Sequence, residues 1–272
     1  MTSKTSTYIL VFLLSIFVVL LSVVMYFGIK NGNFKTEKSK LLLSETYAIN
    51  DVENIDITST SSDVKILKSE DDNIYVKIYS SKKDKVSSEL DGSTLNIVSK
   101  SKSTFCFFCF TSNKRIEISI PEYYSGKINV DTKSGDTTAV SLKDASINIS
   151  AKSGDVKLNT IKNVKIHLTS GDVEIKNSQN TNIKATSGDI ELGSVTGKLT
   201  INVTSGDIEI DTFDIKADSS IKATSGDVSI DNVSNAYIET KVTSGDVKVN
   251  GSDRNALYEL KIKVTSGDIE VN

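Results

Sequence analysis

Three groups of residues have types and spacings that could do chemistry. The first is a four-residue phrase, Lys-Ser-Gly-Asp or Thr-Ser-Gly-Asp, that recurs eight times from residue 133 onward. It presents Gly135 and Asp136, Gly154 and Asp155, Gly171 and Asp172, Gly188 and Asp189, Gly206 and Asp207, Gly226 and Asp227, Gly245 and Asp246, and Gly267 and Asp268. A glycine takes backbone angles that a Cβ resists, and a short carboxylate after it bonds nearby backbone N–H groups, so the pair reads as a structural turn. Stacked carboxylates repel unless each is hydrogen-bonded or a cation sits between them. Two residues after three consecutive Asp stand Glu174, Glu191 and Glu209, with Lys157 before them and Ser229 and Lys248 after. They form a candidate acidic face for a cation or a cationic peptide, against the plainer reading of an ordinary solvated surface. Calcium-binding nonapeptide repeats need more Gly and Asp per turn than this phrase supplies, so that chemistry is not expected.

The second group is Phe105, Cys106, Phe107, Phe108, Cys109 and Phe110. A zinc site needs about four ligands, and these two Cys are the only ones in the chain. A redox CxxC belongs at a helix start in a βαβ context, which is absent. The stretch reads instead as a buried strand or hairpin. Alternatively, with Lys100, Lys102, Lys114 and Arg115 around it, it reads as an interfacial loop whose apolar tip dips into a boundary layer. The two Cys could form a disulfide within the turn. The third group is His167, the single His. It lies between Ile166 and Leu168, and parity points it outward, so it offers no triad. No catalytic residue, cofactor or metal site is expected, and the protein is not expected to be an enzyme.

The elements that position these residues follow from periodicity. The repeated glycines are 17 to 22 residues apart. Around them, β-branched apolar residues alternate with polar ones, the period of a strand with one buried face. A unit of about nineteen residues cannot close a sheet alone, but units stacked in parallel fill one another's hydrogen bonds. The expected fold is all-β: a parallel β-solenoid of about eight Ser-Gly-Asp rungs, right-handed because uneven turns of this length fit the regular left-handed hexapeptide coil poorly. Residues 45–120 should supply irregular starting rungs, with Ser61-Ser62-Asp63-Val64 as a worn copy of the corner. The chain stops at Asn272, directly after the strand of the last corner, so that C-terminal rung is expected to be an open edge for a partner or for self-association.

Tyr8 to Ile29 is a stretch of 22 residues without a charge, long enough for a helix to span a bilayer. It predicts an uncleaved N-terminal membrane anchor (1–30), a basic juxtamembrane linker (31–44), the irregular β cap (45–120) and the repeat solenoid (121–272). The expected localisation is single-pass membrane with the lipid bilayer as a partner. The lysines after the anchor would place the body in the cytoplasm on a literal positive-inside reading, although a long following domain weakens that rule. The net charge of −3 offers no basic surface for a nucleic acid.

The run T-S-G-D-[VI]-x-[ILV], together with the lead-in from Ile118 to Pro121, resembles the bacterial putative-adhesin family of β-strand-repeat domains. The resemblance implies a β-helical cell-envelope protein with an extracytoplasmic body and no established chemistry. The expected role is a non-catalytic scaffold or adhesin-like binding module, whose partner would be a cell-envelope protein. One alternative is an envelope-stress sensor that captures cationic peptides on the acidic face. Another is a cytoplasm-facing scaffold that assembles through its final rung.

Overall fold

A strand that follows a Ser-Gly-Asp corner turns its first and third residues inward, mostly Val, Ile or Leu, and the strand before the corner carries a similar inward pair, Ile166 and Leu168 for example. The computed structural model, which describes residues 39–101 and 113–272 together with Leu14, Ile16, Val18, Val19, Ser22 and Val23, turns this parity into a stack. Strands before the corners form one parallel ladder and strands after them form a second. Val156, Val173, Ile190, Ile208, Val228 and Ile269 lie in one register file. Ile149, Ile166, Ile183, Ile201, Ile221 and Ile262 lie in another. All twelve are at most 2% exposed. Files of branched aliphatic residues, each sitting on its like one rung below, make one continuous core between the two ladders.

The order of rungs departs from the order of the chain at both ends. In space it runs 94–120, 54–68, 127–139, 146–161, 163–178, 180–197, 199–215, 219–234, 260–271 and finally 236–249. The expected coil is therefore correct as a solenoid-like stack, with two exchanges. At the amino-terminal end, the rung 94–120 is laid outside the rung 54–68. Antiparallel strands then cover it, Lys85–Asp91 on Thr94–Lys100 and Asn73–Ser80 on Arg115–Ile120. A further strand, Lys40–Ala48, pairs antiparallel with Asn73–Ser80; it begins inside the stretch read from sequence as a linker. At the other end, Tyr258–Ser266 and Ile269–Val271 insert between the preceding rung and the strands Ala236–Ser244 and Val247–Val249. This corrects the expectation that the C-terminal rung is the open edge. The last-made rung is paired on both sides, and the edge belongs to residues 236–249.

The described residues of the amino-terminal segment have helical backbone and exposed side chains. Among the described residues, however, no helix is long and apolar enough to cross a membrane. The expected single-pass anchor over Tyr8–Ile29 is corrected accordingly, along with the membrane localisation and the bilayer partnership that depended on it. Most of that stretch lies outside the described residues.

Candidate functional site

The corner is built from backbone first. The Gly171 N–H donates to Ser187 C=O at 3.2 Å and the Gly206 N–H to Ser225 C=O at 3.1 Å, so the corners from Gly171 onward are each tied to the next through the serine carbonyl. The serine side chains from Ser153 to Ser266 are exposed, because the chain has already begun to bend there. Two residues further on, the Val173 N–H donates to Asp189 C=O at 2.9 Å. Between these two bonds, the side chain of each Asp accepts the backbone N–H of the Asp in the next rung. The file runs Asp63, Asp136, Asp155, Asp172, Asp189, Asp207, Asp227, Asp268 and Asp246, with N···Oδ1 distances of 2.8–3.1 Å. Asp63 is thus a true member, and the worn corner at 61–63 stacks as expected.

These carboxylates are turn caps. One oxygen of each, from Asp63 to Asp268, is committed to the rung above, which resolves the repulsion that a bare carboxylate file would suffer. Replacing Asp207 by alanine leaves the Asp227 N–H without its acceptor and should destabilise the stack by about 1 kcal/mol. Hydrogen exchange at the Asp227 amide should accelerate in Asp207→Ala and stay slow in Asp207→Asn, whose amide oxygen can take the same bond.

Beside the Asp file runs the column that holds the three candidate glutamates. In register it reads Lys157, Glu174, Glu191, Glu209, Ser229, Glu270, Lys248. Lys157 Nζ donates to Glu174 at 2.9 Å. That bond and the lysine charge hold the Glu174 carboxyl below the usual carboxylate range and raise the Lys157 amine. Lys248 closes the other end on Glu270, which the rung exchange has brought between Ser229 and Lys248. Glu191 and Glu209 stand between these two closed pairs. Among the described residues neither has a cation within ion-pair distance. A shallow groove of about 130 Å³ lies at the start of this column, lined by Asp155, Lys157, Asp172, Glu174, Asp189 and Glu191. Among the described residues no cluster of three His, Cys, Asp or Glu could hold a metal ion.

The opposite ladder carries the opposite sign. Four residues before each of the last six corner glycines, His167, Lys184, Asn202, Lys222, Lys263 and Lys241 form one outward file, which Ser150 and Asp131 continue at its amino-terminal end. His167 is an exposed member of it. Behind it, at the return bend, Asn180 Nδ2 donates to Asn163 Oδ1 at 2.9 Å and Asn163 Nδ2 to Ser146 Oγ at 3.0 Å, a second side-chain ladder between rungs. The stack therefore shows an acidic column on one ladder and a mainly basic one on the other.

The Toastrack DUF4097 profile matches residues 52–272. The chain belongs to this family. No curated protein matches it. Among solved structures, this Toastrack chain is similar to a "putative adhesin" from Bacteroides fragilis, with 17% identity and a TM-score of 0.53, covering 86% of this chain and 97% of that one. It is also similar to a "putative lipid binding protein" from Parabacteroides distasonis, with 16% identity and a TM-score of 0.46, covering 84% and 96%. The likeness to the Bacteroides fragilis structure speaks for the fold alone.

In the Toastrack body the stretch Phe105, Cys106, Phe107, Phe108, Cys109, Phe110 lies outside the described residues. In chain order it stands between Thr94–Lys100 and Arg115–Ile120, where other rungs carry their corner. The cationic rim proposed around it is corrected at two positions. Lys114 is buried, bonded to Asp84 at 2.7 Å and to Ser101 at 2.8 Å. Arg115 pairs with Glu117 at 2.6 Å and lies 3.7 Å from the Tyr79 ring centre. Neither is free to face a lipid headgroup. Sequence reasoning missed the Asp84–Lys114 pair altogether, since no periodic pattern connects residues thirty apart on an irregular cap.

Proposed function

We propose that this protein is a non-catalytic binding scaffold, in the manner that the description of its Bacteroides neighbour as an adhesin suggests. Its ligand would be a cationic peptide segment laid across the rungs on the acidic column. We take the coil as right-handed, the sense its uneven turns favour. The observation that carries the reading is the contrast within one column. Glu174 and Glu270 have lysine partners, whereas Glu191 and Glu209 lie between those pairs, on consecutive rungs and in register, without one among the described residues. Strand spacing sets adjacent carboxylates about 4.8 Å apart, so a passing lysine or arginine can face both. The Asp file alongside, already satisfied by backbone N–H groups, adds negative potential without needing a ligand of its own.

The test is a pair of neutral substitutions. Glu191→Gln with Glu209→Gln should leave thermal stability within about 0.5 kcal/mol of the parent, since exposed charges of this kind contribute little. The same variant should weaken binding of an oligolysine peptide about tenfold at low salt, a difference that shrinks as salt screens the site. Binding unchanged by the substitutions, or insensitive to salt, would sink the reading.

A further inference from the structure

The two ends of the stack are finished differently. At the amino-terminal end, antiparallel strands lie over the outermost rung of both ladders. There the corner file is stopped as well, because the Asp63 N–H already donates to Lys114 C=O at 3.0 Å. A second stack cannot continue this one head to tail in the same parallel register. At the other end, among the described residues, the outermost rung, 236–249, has no rung beyond it. Val247 is 46% exposed, although the equivalent residue of the next rung inward, Ile269, is 1% exposed. Thr240, Val242 and Val249 are half-buried where their counterparts inside are buried.

The strand Ala236–Ser244 forms the edge of the pre-corner ladder. Adjacent to it, the loop 250–257 returns and takes only its first backbone groups. The Asp253 N–H donates to Ala236 C=O at 3.0 Å and the Ile238 N–H donates to Ser252 Oγ at 3.0 Å. In a parallel strand, alternate residues turn both backbone groups to the same side. Since Ala236 and Ile238 face away from the stack, so do Thr240 and Val242, and the loop does not reach them. An unblocked edge of this kind pairs with another strand.

The side chains along that edge are complementary to themselves. Pair the strand with a copy of itself, antiparallel and centred on Thr240. Glu239 then stands opposite Lys241 of the second copy, and Lys241 opposite its Glu239. Inside, Thr240 meets Thr240 on the axis and Ile238 meets Val242 twice, the Ser252 hydroxyl giving up its bond to the Ile238 N–H so that the second strand can take it. Cross-strand opposite charges directly facing each other stabilise such a pair. Lys241 has reason to take this partner, since its register neighbour within the chain is Lys263, with Lys222 next in the file. Glu239 has only Lys261, at 3.7 Å.

We infer that the strand Ala236–Ser244 is a dimerisation edge, at which two copies of this chain join tail to tail by antiparallel pairing about a two-fold axis at Thr240. Such an interface is isologous and closed, so assembly ends at the dimer and does not run on into a fibre. It would double the rungs available to a ligand without altering the acidic column.

Sedimentation of the full chain over a range of concentrations tests this. The parent should show a monomer–dimer equilibrium. Glu239→Lys places lysine against Lys241 twice, and Lys241→Glu places glutamate against Glu239 twice. Each variant alone should dimerise about tenfold more weakly than the parent. A one-to-one mixture of the two variants should recover the parent's dimer as a heterodimer, because every facing pair is again of opposite sign. A parent that stays monomeric overturns the inference, and so does association that both variants leave unchanged. Failure of the mixture to recover would equally exclude this register. A strand peptide from another protein that binds the edge of a monomeric parent would assign the edge to that partner instead.

Discussion

Gly206→Val should be the most damaging single substitution in the repeat, lowering stability by about 4 kcal/mol or more and the melting temperature by roughly 10 °C. Two independent effects add at this position. The backbone φ is +138°, a region that a β-branched residue essentially does not occupy. A Cβ there would also lie 2.1 Å from the carbonyl oxygen of Gly188 in the neighbouring rung. That carbonyl belongs to backbone clamped by the corner bonds on both sides, so it cannot yield as a side-chain tip would. Gly92 separates the two effects. Its φ is +59°, but nothing lies within 4 Å of an added Cβ, so Gly92→Ala should cost about 1 kcal/mol from turn strain alone. Thermal melts followed by circular dichroism should therefore rank Gly206→Val far below Gly92→Ala, with Glu209→Gln near the parent. Comparable melting of the glycine variants would mean that the corners are not in contact.

The inward files and the corners were legible in the sequence because each rung repeats the same solution to the same problem. Parity assigns the buried side chain at Ile166 or Ile208 without reference to any other rung, and the recurrent Ser-Gly-Asp marks the bend. The corner serine escapes that parity for a local reason: alternation holds along a strand and ceases where the backbone turns, one residue before the glycine. The order of rungs was not legible. The residues of 236–249 and 260–271 carry the same pattern, so periodicity permits either to be outermost. The choice falls to the connections. The tight link at Asn235, with φ +64°, and the longer loop 250–257 let the later rung slip inside the earlier one. The basic file does not depend on that exchange, since Lys222, Lys241 and Lys263 fall on three successive rungs in either order. The acidic column was visible as three glutamates two residues after their Asp. Its closure by Glu270 and Lys248 required the fold.

Asp84→Asn should destabilise the cap by about 3–5 kcal/mol at neutral pH, the cost of leaving a buried ammonium without its counter-charge. The Asp84 and Lys114 side chains are 4% and 8% exposed and 2.7 Å apart. Asp84 also accepts from Ser80 Oγ at 2.6 Å and from the Ser81 N–H at 3.3 Å, while the backbone carbonyl of Lys114 receives the Asp63 N–H and ends the corner file. The pair thus joins the turn after Asn73–Ser80 to the first rung of the stack. Burial alone would raise the Asp84 pKa, but the hydrogen bonds from Lys114 and Ser80 and the lysine charge outweigh it, and the net direction is downward. A carboxyl whose pKa is lower folded than unfolded contributes stability above its unfolded value, near 3.9, and loses it as pH falls through the folded one. The difference in melting temperature between parent and Asp84→Asn should accordingly be large at pH 7, begin to narrow near pH 4 and shrink further in stronger acid. Lys114→Met should also destabilise, since it strands the carboxylate. Combined with Asp84→Asn it should cost much less than the two single losses added, because neither charge is then left alone in the cap. A gap between parent and Asp84→Asn that does not change with pH would show that the two groups pack without sharing charge.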